Sequence, residues 1–230
     1  MGFAAQVFRL IPGNIKLKKQ LKFYYFNTVA AFGIVRSPAL FRLDRLVEHY
    51  LPERAGVFIE AGANDGVTQS NTWYFEKYKG WSGLLIEPLP DLAALAARSR
   101  KGPVANVALG ATDGGVLELV PSDLTTTADI KRIKPDDKRI SVNRRSLSSL
   151  LTEHGISKVD FLSLDVEGFE IEVLNGLNLH LHRPRYILVE TSDIELVMHS
   201  LHGHYHLVRK LSIHDYLLRS TEEDAALKGQ

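Results

Sequence analysis

The chain has 230 residues, 45% of them hydrophobic, a net charge of +1 and no cysteine. That is enough apolar material for one sizeable core, with little length left for a second. The charge balance excludes a global polyelectrolyte role; the lack of thiols excludes disulfides and thiolate metal sites and suits a reducing cytoplasm.

Residues 1–43 differ from the rest. They hold no acid, yet carry Arg9, Lys16, Lys18, Lys19, Lys22, Arg36 and Arg42 among Phe3, Phe8, Phe23, Tyr24, Tyr25 and Phe26. No run reaches the ~18–20 apolar residues that span a bilayer. The segment is expected to be a helical extension that packs as a lid on a single domain at 44–230. Its alternative is a basic, aromatic arm lying on an anionic membrane or glycan. The expected location is cytoplasmic, with peripheral contact at the inner membrane face as that alternative.

From residue 44 the punctuation is that of an α/β fold. A helix over 43–50 is stopped by Pro52, and a strand follows at 57–59. It runs into Glu60-Ala-Gly-Ala-Asn-Asp-Gly66, a glycine-bearing turn that lets backbone approach a ligand and leaves free N–H groups at the next helix start. That helix is expected over 70–78, ended by Lys79-Gly80. The strand at 84–86 ends in Glu87, whose carboxylate can accept hydrogen bonds from vicinal ribose hydroxyls. Asp91 is a plausible cap for a helix over 92–99. A third strand is expected over 104–109 and a short one over 116–120. The section 121–145 is polar and carries Lys131, Arg132, Lys134, Lys138, Arg139, Arg144 and Arg145. It is expected to form part of an acceptor wall for an anionic or lipid-linked acceptor, or else a solubilising surface loop.

Ser146 caps a helix with Leu147, Leu150 and Leu151 on one face, stopped at Gly155. A strand spans 159–165, a helix 169–174 and a further strand 186–189, ending in Glu190. The segments 205–211 and 216–218 form a hairpin, since nothing between them has room for a crossover. The expected fold is α/β and Rossmann-like: a mostly parallel seven-stranded sheet closed by a C-terminal antiparallel hairpin.

The turn after the first strand selects the ligand. A dinucleotide fold wants G-x-G-x-x-G beside a pyrophosphate. Here the pattern is Glu60-x-Gly62-x-x-x-Gly66, with Asn64 where that fingerprint has glycine. Acidic Glu60 and Asp65 repel a diphosphate but suit the sulfonium and ammonium of S-adenosylmethionine. A nicotinamide-dependent reductase would need the loop that is missing. A non-catalytic donor-binding protein of the same fold stays open.

Asp165 emerges from an apolar strand at the carboxyl end of the sheet, where open α/β sheets bind ligands. Methyl transfer to a hydroxyl needs a general base or a metal that acidifies the oxygen. Asp165, Glu167 and Glu190 are the carboxylates placed for either role. A divalent metal is left open, with Asp165 and Glu190 as its ligands if one binds. The competing roles are donor binding for Asp165, helix capping for Glu167 and pairing with Arg185 for Glu190. His202, His204 and His206 would share a face in an extended segment but lie before the closing hairpin. His180 and His182 flank Pro184 and are candidates to approach the acceptor.

The motifs Ile59-Glu-Ala-Gly-Ala-Asn-Asp-Gly66, Ser70-Asn-Thr72, Leu85-Ile-Glu-Pro88, Leu162-Ser-Leu-Asp-Val-Glu-Gly168 with Glu170, and Leu188-Val-Glu190 occur in an order that resembles the FkbM-type methyltransferase family. The likeness covers roughly residues 55–220. It implies a Rossmann-like domain that uses S-adenosylmethionine and methylates hydroxyls of glycans, glycolipids or related metabolites. It also implies donor roles. Glu60 would hold the donor's amino group, directly or through water, and Gly62 and Gly66 would shape the turn around Ala63. Asn64, Asp65, Ser70, Asn71 and Thr72 would bond around the methionine portion. Glu87, followed by Pro88, would clasp the ribose, and Ala108 and Leu109 would flank adenine.

Overall fold

The computed structural model describes residues 37–121, 126–127 and 139–222, with Leu21, Tyr24, Tyr25 and Thr28 before them. A 3₁₀ turn at Leu40–Arg42 leads into α1 (Leu43–Glu48). There follow β1 (Val57–Ala61), α2 (Trp73–Lys79), β2 (Ser82–Ile86), α3 (Pro90–Ser99), β3 (Val104–Ala105) and β4 (Ala108–Leu109). Then come β5 (Val116–Pro121), β6 (Thr126–Thr127), β7 (Ile140–Arg145), α4 (Leu147–Glu153) and β8 (Phe161–Leu164). The chain continues through α5 (Glu170–Asn175), β9 (Tyr186–Glu190), α6 (Ile194–Ser200), β10 (Tyr205–Lys210) and β11 (Asp215–Ser220).

The main sheet has seven strands in the order β10-β11-β9-β8-β1-β2-β3. Four pairings, through the five strands β3-β2-β1-β8-β9, are parallel, and β11 and β10 close the sheet antiparallel. The expected architecture is therefore present. β1, β2, β8 and β9 are largely apolar on both faces, as buried parallel strands require, because helices cover both sides. Ile59, Leu84, Leu162, Ile187 and Leu218 pack with α4, α5 and α6 on one face. Phe58, Leu85, Phe161, Leu188 and Leu217 pack with Ala39, Leu43, Val47, Tyr74 and Phe75 on the other. Ala39 and Leu43 join this second cluster, so the packed domain begins ahead of residue 44.

Several elements depart from the expected ones. The strand anticipated over 104–109 is two: Val104–Ala105 pairs with β2, whereas Ala108–Leu109 pairs with β7 in a second, four-stranded sheet, β4-β7-β5-β6. Part of the polar 121–145 section is the strand β7, paired along β5. Alternation of Ile140 and Val142 with polar neighbours places Val142 in a small cluster with Ala108 and Leu119. Arg144 donates to the Gly114 carbonyl, and Arg145 pairs with Asp113 and Glu153. Residues 131–138 lie outside the described residues.

α3 starts two residues earlier than expected, with Pro90 at its first position, so Asp91 sits in the first turn and is not the N-cap. α6 was not anticipated; Asp193 caps it by accepting from the Leu196 N–H at 3.1 Å. His199 therefore belongs to a helix and His202 to a left-handed turn (φ 49°), which breaks the extended histidine face.

Candidate active site

The strand registers align one row of residues across the sheet, one step past the carboxyl ends of its parallel strands. Ala61 pairs with Ile86 and Leu164, Leu164 with Val189, Glu190 with Asp215, and Ile86 with Ala105. The next residues on these strands are Asn106, Glu87, Gly62, Asp165 and Glu190, with Asp215 opposite Glu190. Backbone bonds continue the ladder through this row: Glu87 N–H to Ala105 O, Gly62 N–H to Ile86 O and Asp165 N–H to Ala61 O. Neighbours in one row project to the same face. Glu87 thus stands on one side of Gly62, and Asp165, Glu190 and Asp215 on the other.

Gly62 is required at the centre of that row. Its φ is +86°, and a Cβ there would lie 1.8 Å from the Asp165 carbonyl oxygen. Asn64 also has positive φ (52°); its N–H donates to Glu87 Oε2 at 2.8 Å, and the Leu89 N–H donates to Oε1 at 2.9 Å. Glu87 is 4% exposed, so it is held rigidly at the strand tip by the loops on either side.

The acids of the turn have a different place from the one anticipated. Glu60 is buried and accepts from Ser70 Oγ, the Asn71 N–H, Thr72 Oγ1 and Arg100 Nη1. Asp65 faces inward and accepts from the Val67 and Thr68 N–H groups and from Thr68 Oγ1. Ser70 Oγ also accepts from the Trp73 N–H at 2.9 Å, bracing the start of α2. Glu60, Asp65, Ser70 and Thr72 therefore shape the loop, and their polar atoms are turned into it. Ala63 is buried with the apolar cluster under α1 and α2, and Pro88 is half-buried beside Glu87.

The residue behind this rearrangement is Arg100, at the end of α3, with a fully buried side chain. Its Nε donates to Glu76, Nη1 to Glu60, the Gly66 carbonyl and Ser70, and Nη2 to Thr72. A buried guanidinium persists when paired and fully hydrogen-bonded. In sequence Arg100 is one basic residue at a helix end and carries no signal. Asn106 was missed for a similar reason; its Nδ2 donates to the Glu87 and Pro88 carbonyls, beside the acid. Ala108 and Leu109 follow Asn106 and are both buried, Ala108 with Leu119 and Val142 of the second sheet and Leu109 in the main core.

On the other side of Gly62, Asp165 and Glu190 are within hydrogen-bonding reach of each other. Burial first, then the charges of Glu190 and Glu167, hold the Asp165 carboxyl well above the usual carboxylate range. A neighbouring carboxylate disfavours the charged form of Asp165. Glu167 has positive φ (57°), and Glu170 accepts from the Val166 and Gly168 N–H groups, which fixes the 165–168 turn. Asp215 is buried beside Glu190 and raised by that burial, with Ser212 donating to it. Among the described residues, no three His, Asp or Glu side chains converge in metal-binding geometry.

The histidines lie elsewhere. His182 precedes the start of β9 and contacts Ser148, so His180 and His182 are at the amino ends of the strands, away from the row.

The sequence profile of the methyltransferase FkbM domain matches residues 60–218, from the acid of the first motif to the closing hairpin. The chain belongs to the FkbM methyltransferase family. S-adenosylmethionine is the cofactor of this family and fold. A relative described as 2-O-methyltransferase NoeI, from Sinorhizobium fredii, is 27% identical over 72% of this chain and 75% of its own length. The crystal structure of a methyltransferase FkbM from Methylobacillus flagellatus superposes with a TM-score of 0.50 at 16% identity, covering 94% of this chain. The present chain spans 57% of the length of that structure. The likeness supports the fold described above.

The residues of the row fit the cofactor. Glu87 is a buried, preorganised acceptor suited to a ribose diol. Asn71 donates through Nδ2 to Ser163 on β8, and its buried Oδ1 has no hydrogen-bond partner among the described residues. An acceptor left without a partner beside the strand tips suits an ammonium donor.

Proposed function

We propose that the chain is an O-methyltransferase that acts on a hydroxyl of a carbohydrate or carbohydrate-bearing metabolite. The observation that carries this reading is the row itself: a buried acid at Glu87, a gap at Gly62, and the neighbouring carboxylates Asp165 and Glu190 beyond it. When bound, S-adenosylmethionine supplies an electrophilic methyl group on a sulfonium. Glu87 accepts from the ribose hydroxyls, and Asn71 Oδ1 accepts from the ammonium of the methionine portion. Asp165 takes the proton from the attacking hydroxyl oxygen. Its raised proton affinity makes it a stronger base than an ordinary carboxylate. Glu190, exposed at the tip of β9, shares that proton and returns it to water.

The family relative named as a 2-O-methyltransferase supports transfer to oxygen. A carboxylate pair and no carboxamide at the tip of β8 points the same way, because a hydroxyl must lose its proton as it is methylated.

The test is Asp165→Asn. Turnover of labelled donor against carbohydrate and glycolipid extracts should fall by ~10²-fold or more, while calorimetric donor binding is largely retained. Full activity in this variant would remove Asp165 from the chemistry. A separate variant, Glu87→Gln, keeps one acceptor for the Asn64 or Leu89 N–H and should weaken donor binding by about 1.5–3 kcal/mol. Unchanged affinity would remove Glu87 from the ribose site.

A further inference from the structure

The outer face of α1 and α2 shows apolar side chains ringed by cations. Leu40 (45% exposed), Phe41 (63%), Leu46 (38%) and Tyr78 (41%) all point to solvent. Arg42, Lys77 and Lys79 are exposed among them. α1 and α2 meet here: the Arg45 guanidinium lies 4.2 Å from the Tyr74 ring centre, and Lys79 pairs with Glu48. Between residues 37 and 50 no acid is exposed, since Asp44 is buried and Glu48 is paired with Arg45 and Lys79.

Phe41 and Arg42 both adopt left-handed backbone, with φ of 52° and 58°. Non-glycine residues rarely do so, and a bulky aromatic less than most. The turn nevertheless holds Phe41 outward. The chain ahead of it completes the pattern: the first 43 residues contain seven cations and no acid.

We propose that this face docks the protein on an anionic lipid bilayer. Aromatic and aliphatic side chains enter the headgroup boundary while the surrounding lysines and arginines meet the lipid charge, the combination by which interfacial surfaces bind. The complementarity is one-sided: an acidic protein partner would not need Phe41 and Leu46 bare, and an apolar one would not need the cations. The face also adjoins the site. Ala39 bridges Gln69, in the loop that carries Asp65 and Ser70, and the carboxylate row projects to the side of the sheet that α1 and α2 cover. An acceptor borne on the membrane would therefore meet the site at its edge. The proposal does not depend on which atom is methylated.

The full chain is tested by flotation with vesicles of phosphatidylcholine alone and of phosphatidylcholine with about one-third phosphatidylglycerol. Wild type should bind the anionic vesicles at least ~10-fold better, and added salt should weaken that binding. The double variant Phe41→Ser/Leu46→Ser should lose ~10-fold in bound fraction, and Arg42→Gln/Lys77→Gln should show a weaker salt dependence, with calorimetric donor affinity unchanged in both. Equal binding to neutral and anionic vesicles, or no binding to either, overturns the proposal. So does wild-type vesicle binding by Phe41→Ser/Leu46→Ser. Sedimentation without vesicles covers the remaining occupant: a wild-type dimer that this variant dissolves would assign the face to a second copy of the chain.

Discussion

Burial and the carboxylates of Glu190, Glu167 and Glu170 all raise the proton affinity of Asp165. For a base that must be ionised to work, the rate rises with pH through the raised value. The acid limb of the kcat profile should therefore lie above the range of an ordinary aspartate. Glu190→Gln removes both a neighbouring charge and the shared proton, so it should move that limb to lower pH. Glu170→Gln should move it less, since Glu170 is the smallest of these influences. A limb that stays put in Glu190→Gln would mean that the pair does not govern the titration. Residue chemistry here is collective, and the apparent values belong to the pair.

At the scale of elements, Arg100 ties α3 to β1, to the loop after it and to the start of α2. Removing one member of a buried ion network leaves its partners charged and unpaired, which typically costs about 3–5 kcal/mol. Arg100→Met should lose stability of that order in urea unfolding, and should weaken donor binding because Asn71 and Asn64 lose their fixed loop. Arg100→Met/Glu60→Gln should recover part of the stability by neutralising one orphaned charge. A single variant with wild-type stability would show that the network is a bystander. The same elements were only partly legible beforehand. β1, β2, β8 and β9 announced themselves as apolar runs ending in acids. β7 did not, because Arg144 and Arg145 follow its short alternation; α6 did not, because it is only seven residues long, about two turns, too short for a helical period to stand out.

For the whole molecule, one group outside the site that shapes the pH dependence of stability is Asp44, buried under the 3₁₀ turn with Oδ2 unpartnered. Burial raises its carboxyl from 3.8 to about 6. The native state then binds the proton more tightly than the unfolded chain, so stability is highest below the unfolded value and falls as pH rises through about 6. Asp44→Asn should remove this fall. It should be more stable than wild type by about 1–3 kcal/mol at pH 8 and gain nothing at pH 4. Parallel stability curves for the two proteins from pH 4 to 8 would contradict this. The vesicle experiment belongs to the same scale, since the face it probes is assembled from α1, α2 and the segment before them.

By itself the sequence determined the class of fold, the order of the main strands, the cofactor and the acids at three strand tips. Those follow from local chemistry: apolar runs become buried strands, glycines mark the turn, and a charged residue that ends a buried strand is placed at its open end. Only the tertiary structure decided which acids face a ligand. Glu60 and Asp65 look like donor contacts in one dimension, but Arg100, forty residues from Glu60, draws the first inward, and Asp65 caps its own turn. Asp215, in a polar turn, enters the row of strand-tip acids because antiparallel pairing sets it opposite Glu190. Register and burial depend on partners distant in sequence, and a carboxylate goes wherever its donors are.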